Sequence, residues 1–182
     1  MRILGIDPGS NATGFGVVEH FAGSVRHVAH GVLRPPRGGE LAARLEYLHR
    51  SIGEVVAEHR PDVAAIEQVF VATNPRSALV LGQARGALLS ALAAAGLTIR
   101  EYSPSQIKQA VTGDGRASKR QVQTMVRRQL SLEHAPASDA ADALAAAIRH
   151  AHAGRLEAVG VIRRGSRRRR LGGFVVNVRP SR

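Results

Sequence analysis

Four acidic residues carry the types and positions needed for metal-dependent chemistry: Asp7, Glu67, Asp139 and Asp142. Asp7 and Glu67 each follow a short apolar run typical of a buried strand, and Asp139 and Asp142 lie three residues apart in an alanine-rich segment. A carboxylate in a buried strand is unfavourable unless it is paired or binds metal. Mg²⁺ prefers such oxygen ligands. The four acids therefore predict a divalent-metal site, in which Mn²⁺ could replace Mg²⁺.

Two ions held about 3.5–4 Å apart can activate a water and stabilise a leaving oxygen in phosphodiester hydrolysis. Asp7 and Glu67 could serve both ions if their strands are neighbours. Asp139 and Asp142, at positions i and i+3, share one helix face. Taken alone, Asp7 before Pro-Gly also suits a turn, and Asp139 also suits a helix N-terminus.

The chain is strongly basic, and the charge is unevenly distributed. It holds 26 Lys and Arg against 14 Asp and Glu, a net charge of +12. Eight arginines and no acid lie in residues 163–182, and without them the excess is +4. Such a run predicts an arm that contacts nucleic acid. A merely solubilising terminus is the alternative.

Only two of the basic residues are lysines, Lys108 and Lys119. A compact ammonium group differs from the planar fork of arginine, so lysine retained in an arginine-rich chain suggests a special requirement. Chance retention is the alternative.

A length of 182 residues allows one domain with a real core. We expect a nuclease domain over residues 1–154 and a basic tail over residues 155–182.

The absence of cysteine excludes disulfides and thiolate metal sites. We find no apolar stretch of transmembrane length and no signal segment, so we expect a cytoplasmic protein without a membrane partner.

Periodicity and turn residues predict three sequential strands, then alternating helices and strands, then helices. This order indicates an α/β domain with a mixed five-stranded sheet flanked by helices. The predicted strands are 2–7, 13–19, 24–33, 63–69 and 98–102. The predicted helices are 41–60, 75–95, 105–111, 119–130 and 139–152.

The segment from Asp7 to Gly14 also resembles the first phosphate loop of actin-like ATPases and sugar kinases. Those proteins need two lobes and a second phosphate loop, and this chain is too short for either.

Four motifs together closely resemble the RuvC family of Holliday-junction resolvases over residues 1–153. They are Gly5-Ile6-Asp7-Pro8-Gly9 with Thr13-Gly14, Ile66-Glu67-Gln68-Val69-Phe70, Leu81-Gly82-Gln83-Ala84-Arg85-Gly86, and Ser138-Asp139-Ala140-Ala141-Asp142-Ala143. The resemblance implies a ribonuclease-H-like fold, a homodimer, and paired nicking of four-way DNA junctions that depends on two Mg²⁺ ions per subunit. It also implies a branch-migration motor similar to RuvAB as a partner.

By the same resemblance, the four acids are the catalytic metal ligands, and Lys108 and Lys119 are catalytic lysines that face phosphate. Phe70 would stack on a junction base. We also expect Arg76 to contact DNA and the helix 75–95 to form the dimer surface. Two alternatives remain open at this point: a ribonuclease-H-like enzyme acting on RNA–DNA hybrids, and a junction-binding protein without activity.

Overall fold

The computed structural model describes residues 1–68 and 74–158, and the side chains of all these except 154–158. Along the chain, the elements are β1 (Arg2–Asp7), β2 (Thr13–Phe21), β3 (Ser24–Leu33), α1 (Leu41–His59), β4 (Val63–Glu67), α2 (Pro75–Ala94), β5 (Thr98–Tyr102), α3 (Pro104–Thr112), α4 (Lys119–Gln129) and α5 (Ser138–Ala158).

The five strands form one mixed sheet in the order β3-β2-β1-β4-β5. The first three strands form an antiparallel meander, whereas β4 runs parallel to β1 and β5 runs parallel to β4. This arrangement confirms the predicted mixed five-stranded sheet. It also makes β1 and β4 direct neighbours, which is the condition that the predicted metal site required.

Helices cover both faces of the sheet, and the strand sequences decide which residues face which layer. Ile3, Val63 and Ala65 pack against α3, α4 and α5, whereas Leu4, Ile6 and Ile66 pack against α1 and α2. Successive side chains of a strand point to opposite faces. Asp7 and Glu67 therefore fall on the α5 side of the sheet.

Helix α5 lies unusually close to the sheet because the residues between them are small. A Cβ atom added to Gly14 would come within 1.9 Å of the Asp139 carbonyl oxygen, and one added to Gly5 would come equally close to that of Ala143. The inner face of α5 is mostly alanine, and seven of its alanines are buried. This close approach brings the start of α5 directly against β1 and β2.

Several element bounds differ from the prediction. Strand β2 extends to Phe21, and α5 continues to Ala158 rather than ending at His152. A single glycine costs a helix only about 1 kcal/mol, so Gly154 does not end it. The domain boundary at residue 154 stays a prediction. The arginine-rich segment 163–182 lies outside the described residues.

Contrary to the expectation from sequence, the described part of the chain contains one helix, α2, that is long and apolar enough to cross a membrane. This criterion considers length and composition only, and the alanines and leucines of α2 outweigh its two arginines. About a fifth of the qualifying window is buried inside the protein. The described residues therefore leave most of this window of α2 unburied.

Candidate active site

Asp7 and Glu67 lie side by side at the carboxyl edge of the sheet. The register pairs Ile6 with Ile66 in parallel, so the next residue on each strand is one of the two acids. Both belong to the alternate positions that face α5. The β1–β4 pairing thus brings together two carboxylates that are 60 residues apart in sequence.

The other two acids arrive from α5. Asp139 lies in its first turn, above Gly14 of β2, and Gly14 is itself the cross-strand partner of Asp7. Asp142, less than one turn further along, acts electrostatically on both Asp7 and Glu67. The glycine-lined approach of α5 therefore determines how close these acids come to the strand acids.

Burial dominates the electrostatics of Asp7. Desolvation raises the pKa of the Asp7 carboxyl to about 7, and the negative charges of Asp142 and Glu67 act in the same direction. Lys119 acts in the opposite direction. Burying several carboxylates together is unfavourable unless a cation compensates them.

Burial also raises the pKa of Glu67, with a further contribution from the charge of Asp142. The pKa of Asp142 is raised for the same first reason, although its hydrogen bond to Lys119 opposes the change. Desolvation outweighs the ion pair in this case. The site as a whole therefore favours bound positive charge.

Two lysines supply part of that charge. The Lys119 Nζ atom lies 2.9 Å from Asp142 Oδ2, and this hydrogen bond is the main reason why the pKa of Lys119 is raised. Lys119 begins α4, whose N-terminus is fixed by a capping box between Ser118 and Gln121. Lys108, on α3, lowers the pKa of Glu67 and Asp142. Both lysines therefore face the acids.

The four carboxylates of this cluster come from three elements and repel one another. Their oxygen donors suit a divalent cation, which would relieve that repulsion. As the side chains stand, however, no three acidic or histidine residues in the described ranges lie close enough together to hold an ion. The strand register and the approach of α5 bring the acids into one region, and the side chains do not form a closed cage there. Asp7, Glu67, Asp139 and Asp142 remain the predicted ligands.

The loop that follows Asp7 is held in a fixed shape. The Thr13 hydroxyl donates to the carbonyl oxygen of Gly9 at 2.8 Å, and the Gly9 N–H donates back to it. Arg44, on α1, donates to the carbonyl oxygen of Ser10. Sequence analysis missed Arg44, because no local pattern links a helix residue to a loop more than 30 positions away.

The remaining predicted contacts lie elsewhere. Arg76 is exposed in the first turn of α2 and lines a cleft beside the loop 8–12, separate from the acids. Phe70 lies outside the described residues. Arg85, which belongs to the third family motif, forms an ion pair of 2.7 Å with Glu101.

Comparisons with known proteins agree over most of the chain. The sequence profile described as "Crossover junction endodeoxyribonuclease RuvC" matches residues 3–150. A protein of that name from Alkalilimnicola ehrlichii is 55% identical over 157 residues, which are 86% of this chain and 94% of the relative. The one from Thiobacillus denitrificans is also 55% identical, over 87% of this chain and 92% of the relative.

Among solved structures, Thermus thermophilus RuvC in complex with Holliday junction substrate superposes with a TM-score of 0.81 at 37% identity. The alignment covers 86% of this chain and 96% of that one. The match confirms the ribonuclease-H-like fold. Together with the profile match over most of the chain, this structural match establishes that the protein belongs to the RuvC family of crossover junction endodeoxyribonucleases.

Proposed function

We propose that this Holliday-junction resolvase, a member of a metal-dependent nuclease family, acts as a homodimer that places one nick in each of two opposing strands. Two Mg²⁺ ions per subunit would serve each nick, and Mn²⁺ could replace them. The observation that carries the proposal is the electrostatic coupling of Asp7 with Glu67, Asp139 and Asp142, together with the two lysines that act on the same group of acids. Cutting such junctions completes DNA recombination and repair.

The acids divide naturally into two sets. Asp7 with Glu67 would hold one ion, and Asp7 with the face of α5 that carries Asp139 and Asp142 would hold the other. When bound, the pair of ions would supply an activated water and stabilise the leaving oxygen. The expected products carry a 3′-hydroxyl and a 5′-phosphate.

The lysines complete the site. Lys119 forms an ion pair with Asp142, and it would also face the scissile phosphate. Lys108 approaches the same acids from α3. Ammonium groups fixed beside developing phosphate charge stabilise a transition state.

Helix α2 supports the homodimer. Its exposed surface includes Leu79, which is 66% exposed, and the small residues Gly82 and Gly86, above which an added Cβ would meet nothing within 4 Å. A second copy of α2 could cover this surface. A two-fold symmetric dimer would present two equivalent sites to the approximately two-fold symmetric junction.

The direct test is a cleavage assay on a mobile four-way junction, an RNA–DNA hybrid and a plain duplex, with and without Mg²⁺. We expect Mg²⁺-dependent paired nicks in the junction alone. The Asp7→Asn variant should bind the junction but not cut it, because the substitution removes the charge and keeps the shape. Cleavage of the hybrid alone, or normal cutting by Asp7→Asn, would contradict the proposal.

A motor similar to RuvAB is the expected partner for branch migration, and the cytoplasm is the expected compartment. The first expectation derives from the resemblance to the family. The second is drawn from the sequence, in which we find no signal segment, and the apolar helix α2 is the feature that bears against it. Copurification of a tagged chain with the motor proteins, followed by fractionation of the cells, would test them. Recovery of the chain in the membrane fraction would contradict the second expectation.

A further inference from the structure

A cleft of about 610 Å³ lies beside the loop that follows Asp7. Its walls are the loop 8–12, the first turn of α1 and the first two turns of α2. Two arginines, Arg44 and Arg76, line it together with the polar residues Ser10, Asn11 and Ser77. The lining residues that the structure describes include no acid. The cleft is therefore a concave basic surface next to the catalytic strand.

The Arg44 side chain has a defined orientation. Its Nη2 atom donates to the carbonyl oxygen of Ser10 at 2.5 Å and to Asn11 Oδ1 at 2.7 Å. A guanidinium group has five N–H donors, so these two bonds leave three for another acceptor. Both observed acceptors are neutral, and among the described side chains no carboxylate pairs with Arg44 at the wall of the cleft.

Among the described residues, four arginines pair with carboxylates: Arg2, Arg26, Arg50 and Arg85. Arg50, on the same helix as Arg44, pairs with both Glu46 and Glu54. Over residues 1–68 and 74–153, no carboxylate pairs with Arg44 or Arg76. Two uncompensated guanidinium groups that share one cleft form a binding site for an anion with several oxygen acceptors.

From this arrangement, and resting on the proposed function, we infer that the cleft binds a backbone phosphate of the strand being cut. Ser10 follows Asp7 by three residues, a span of at most about 11 Å. At about 3.4 Å of rise per nucleotide, this span corresponds to roughly three nucleotides, so we place the bound phosphate a few nucleotides from the nick. The described lining residues include no aromatic side chain that could stack on a base, so the contact is independent of sequence.

Binding measurements test the inference. In an Asp7→Asn background, which prevents cutting, junction affinity is measured over a series of salt concentrations for added Arg44→Gln or Arg76→Gln. We expect each to weaken binding about 10-fold and to reduce the salt slope by about 1. Arg50→Gln is the matched control, because it removes the same charge from α1 at a paired position. It should change affinity by less than about twofold.

A neutral methylphosphonate, placed at one position at a time near the nick, separates phosphate contact from support of the loop. At one position it should weaken binding by the Asp7→Asn protein, yet have little further effect once Arg44 or Arg76 is also replaced. A variant that only distorted the loop would leave the methylphosphonate effect at full size at every position. That pattern would overturn the inference.

The outcomes also distinguish this inference from the proposed function. If the unaltered protein cuts the junction and both glutamine variants bind as tightly as the Arg50→Gln control, the cleft inference is wrong and the proposed function stands. If the unaltered protein neither binds nor cuts the junction, both are wrong.

Discussion

At the residue scale, the central feature is a group of carboxylates whose ionisation is opposed by burial and by one another. Asp7 shows this most clearly, since its pKa is raised to about 7. Lys119 offsets part of the negative charge through Asp142. We therefore predict that, without bound metal, this group of carboxylates lowers the free energy of unfolding of the protein.

The first prediction concerns pH and stability. Folded Asp7 keeps its proton up to about pH 7, whereas an unfolded aspartate loses it near its ordinary pKa of 3.8. The contribution of Asp7 to the free energy of unfolding is fully present below pH 3.8. It is lost as the pH rises from there through 7. Asp7→Asn should therefore stabilise the metal-free protein at pH 8, by on the order of 3 kcal/mol, and have little effect at pH 4.

Thermal unfolding in EDTA at both pH values measures this effect. The exposed Glu133→Gln variant is the control for loss of one acid, and its melting temperature should match that of the unaltered chain at each pH. An equal effect of Asp7→Asn at pH 4 and pH 8 would show that the proton is not held as described.

A second prediction at this scale concerns Lys119. Lys119→Arg keeps the charge but replaces a compact ammonium with a wider planar fork. We expect the single-turnover cleavage rate to fall by about 10-fold or more, with junction affinity unchanged. Arg120→Lys, the converse exchange at the neighbouring exposed position of α4, should leave the rate unaltered. Full activity of Lys119→Arg would mean that only the charge matters.

At the element scale, the site depends on how closely α5 approaches the sheet. Gly5 and Gly14 leave no room for a side chain, and the alanines of α5 continue the same small-residue packing. The two strand acids share a face through the β1–β4 register. Together, these features fix the separation between the strand acids and the helix acids.

Gly14→Ala tests this role of close packing. The new methyl group would lie 1.9 Å from the carbonyl oxygen of Asp139, so the helix start must move away from β2. We expect a loss of about 1–3 kcal/mol in stability and a larger proportional loss of cleavage, because Asp139 and Asp142 move with the helix. Denaturant unfolding and cleavage rates measure the two effects.

Gly53→Ala on α1 is the matched control, since nothing lies within 4 Å of its added Cβ. It should keep activity and stabilise the helix by up to about 1 kcal/mol. If Gly14→Ala behaved in the same way, the close approach would have no catalytic importance.

At the scale of the whole molecule, two surfaces extend beyond the single catalytic site. The apolar window of α2 is mostly unburied by the residues that the structure describes, and the basic tail contains eight of the arginines. The first surface suits a second copy of the chain, and the second suits DNA. Paired cutting would depend on the dimer, whereas general DNA affinity would depend on the charge.

Leu79→Glu tests the dimer. A charge at this exposed apolar position of α2 should be disfavoured in an interface and tolerated on a free surface. We expect a monomer in sedimentation equilibrium and the loss of paired nicks. Phe21→Glu is the control, because Phe21 is 80% exposed but lies at the far end of β2. A Leu79→Glu variant that sedimented as a dimer would exclude this surface.

Deletion of residues 163–182 tests the tail. Removing eight positive charges should weaken junction binding and reduce the dependence of log affinity on log salt by about 0.9 for each phosphate that the protein no longer neutralises. The positions of the nicks should not change, since the acids remain. An unchanged salt slope, measured by titration against labelled junction, would show that the tail does not bind DNA.

The sequence by itself determined the mixed sheet and the order of its elements, because hydrophobic periodicity is a local signal, and buried charge singled out the four acids as the predicted ligands. It did not determine that Gly5 and Gly14 admit α5, that Lys119 pairs with Asp142, or that Arg44 supports the loop after Asp7. The contacts of Arg44 and of the two glycines join residues 33 to more than 130 positions apart in sequence. The ion pair of Lys119 depends on side-chain rotamers. Tertiary packing decided them, because only the folded chain brings such distant groups within ångströms of each other.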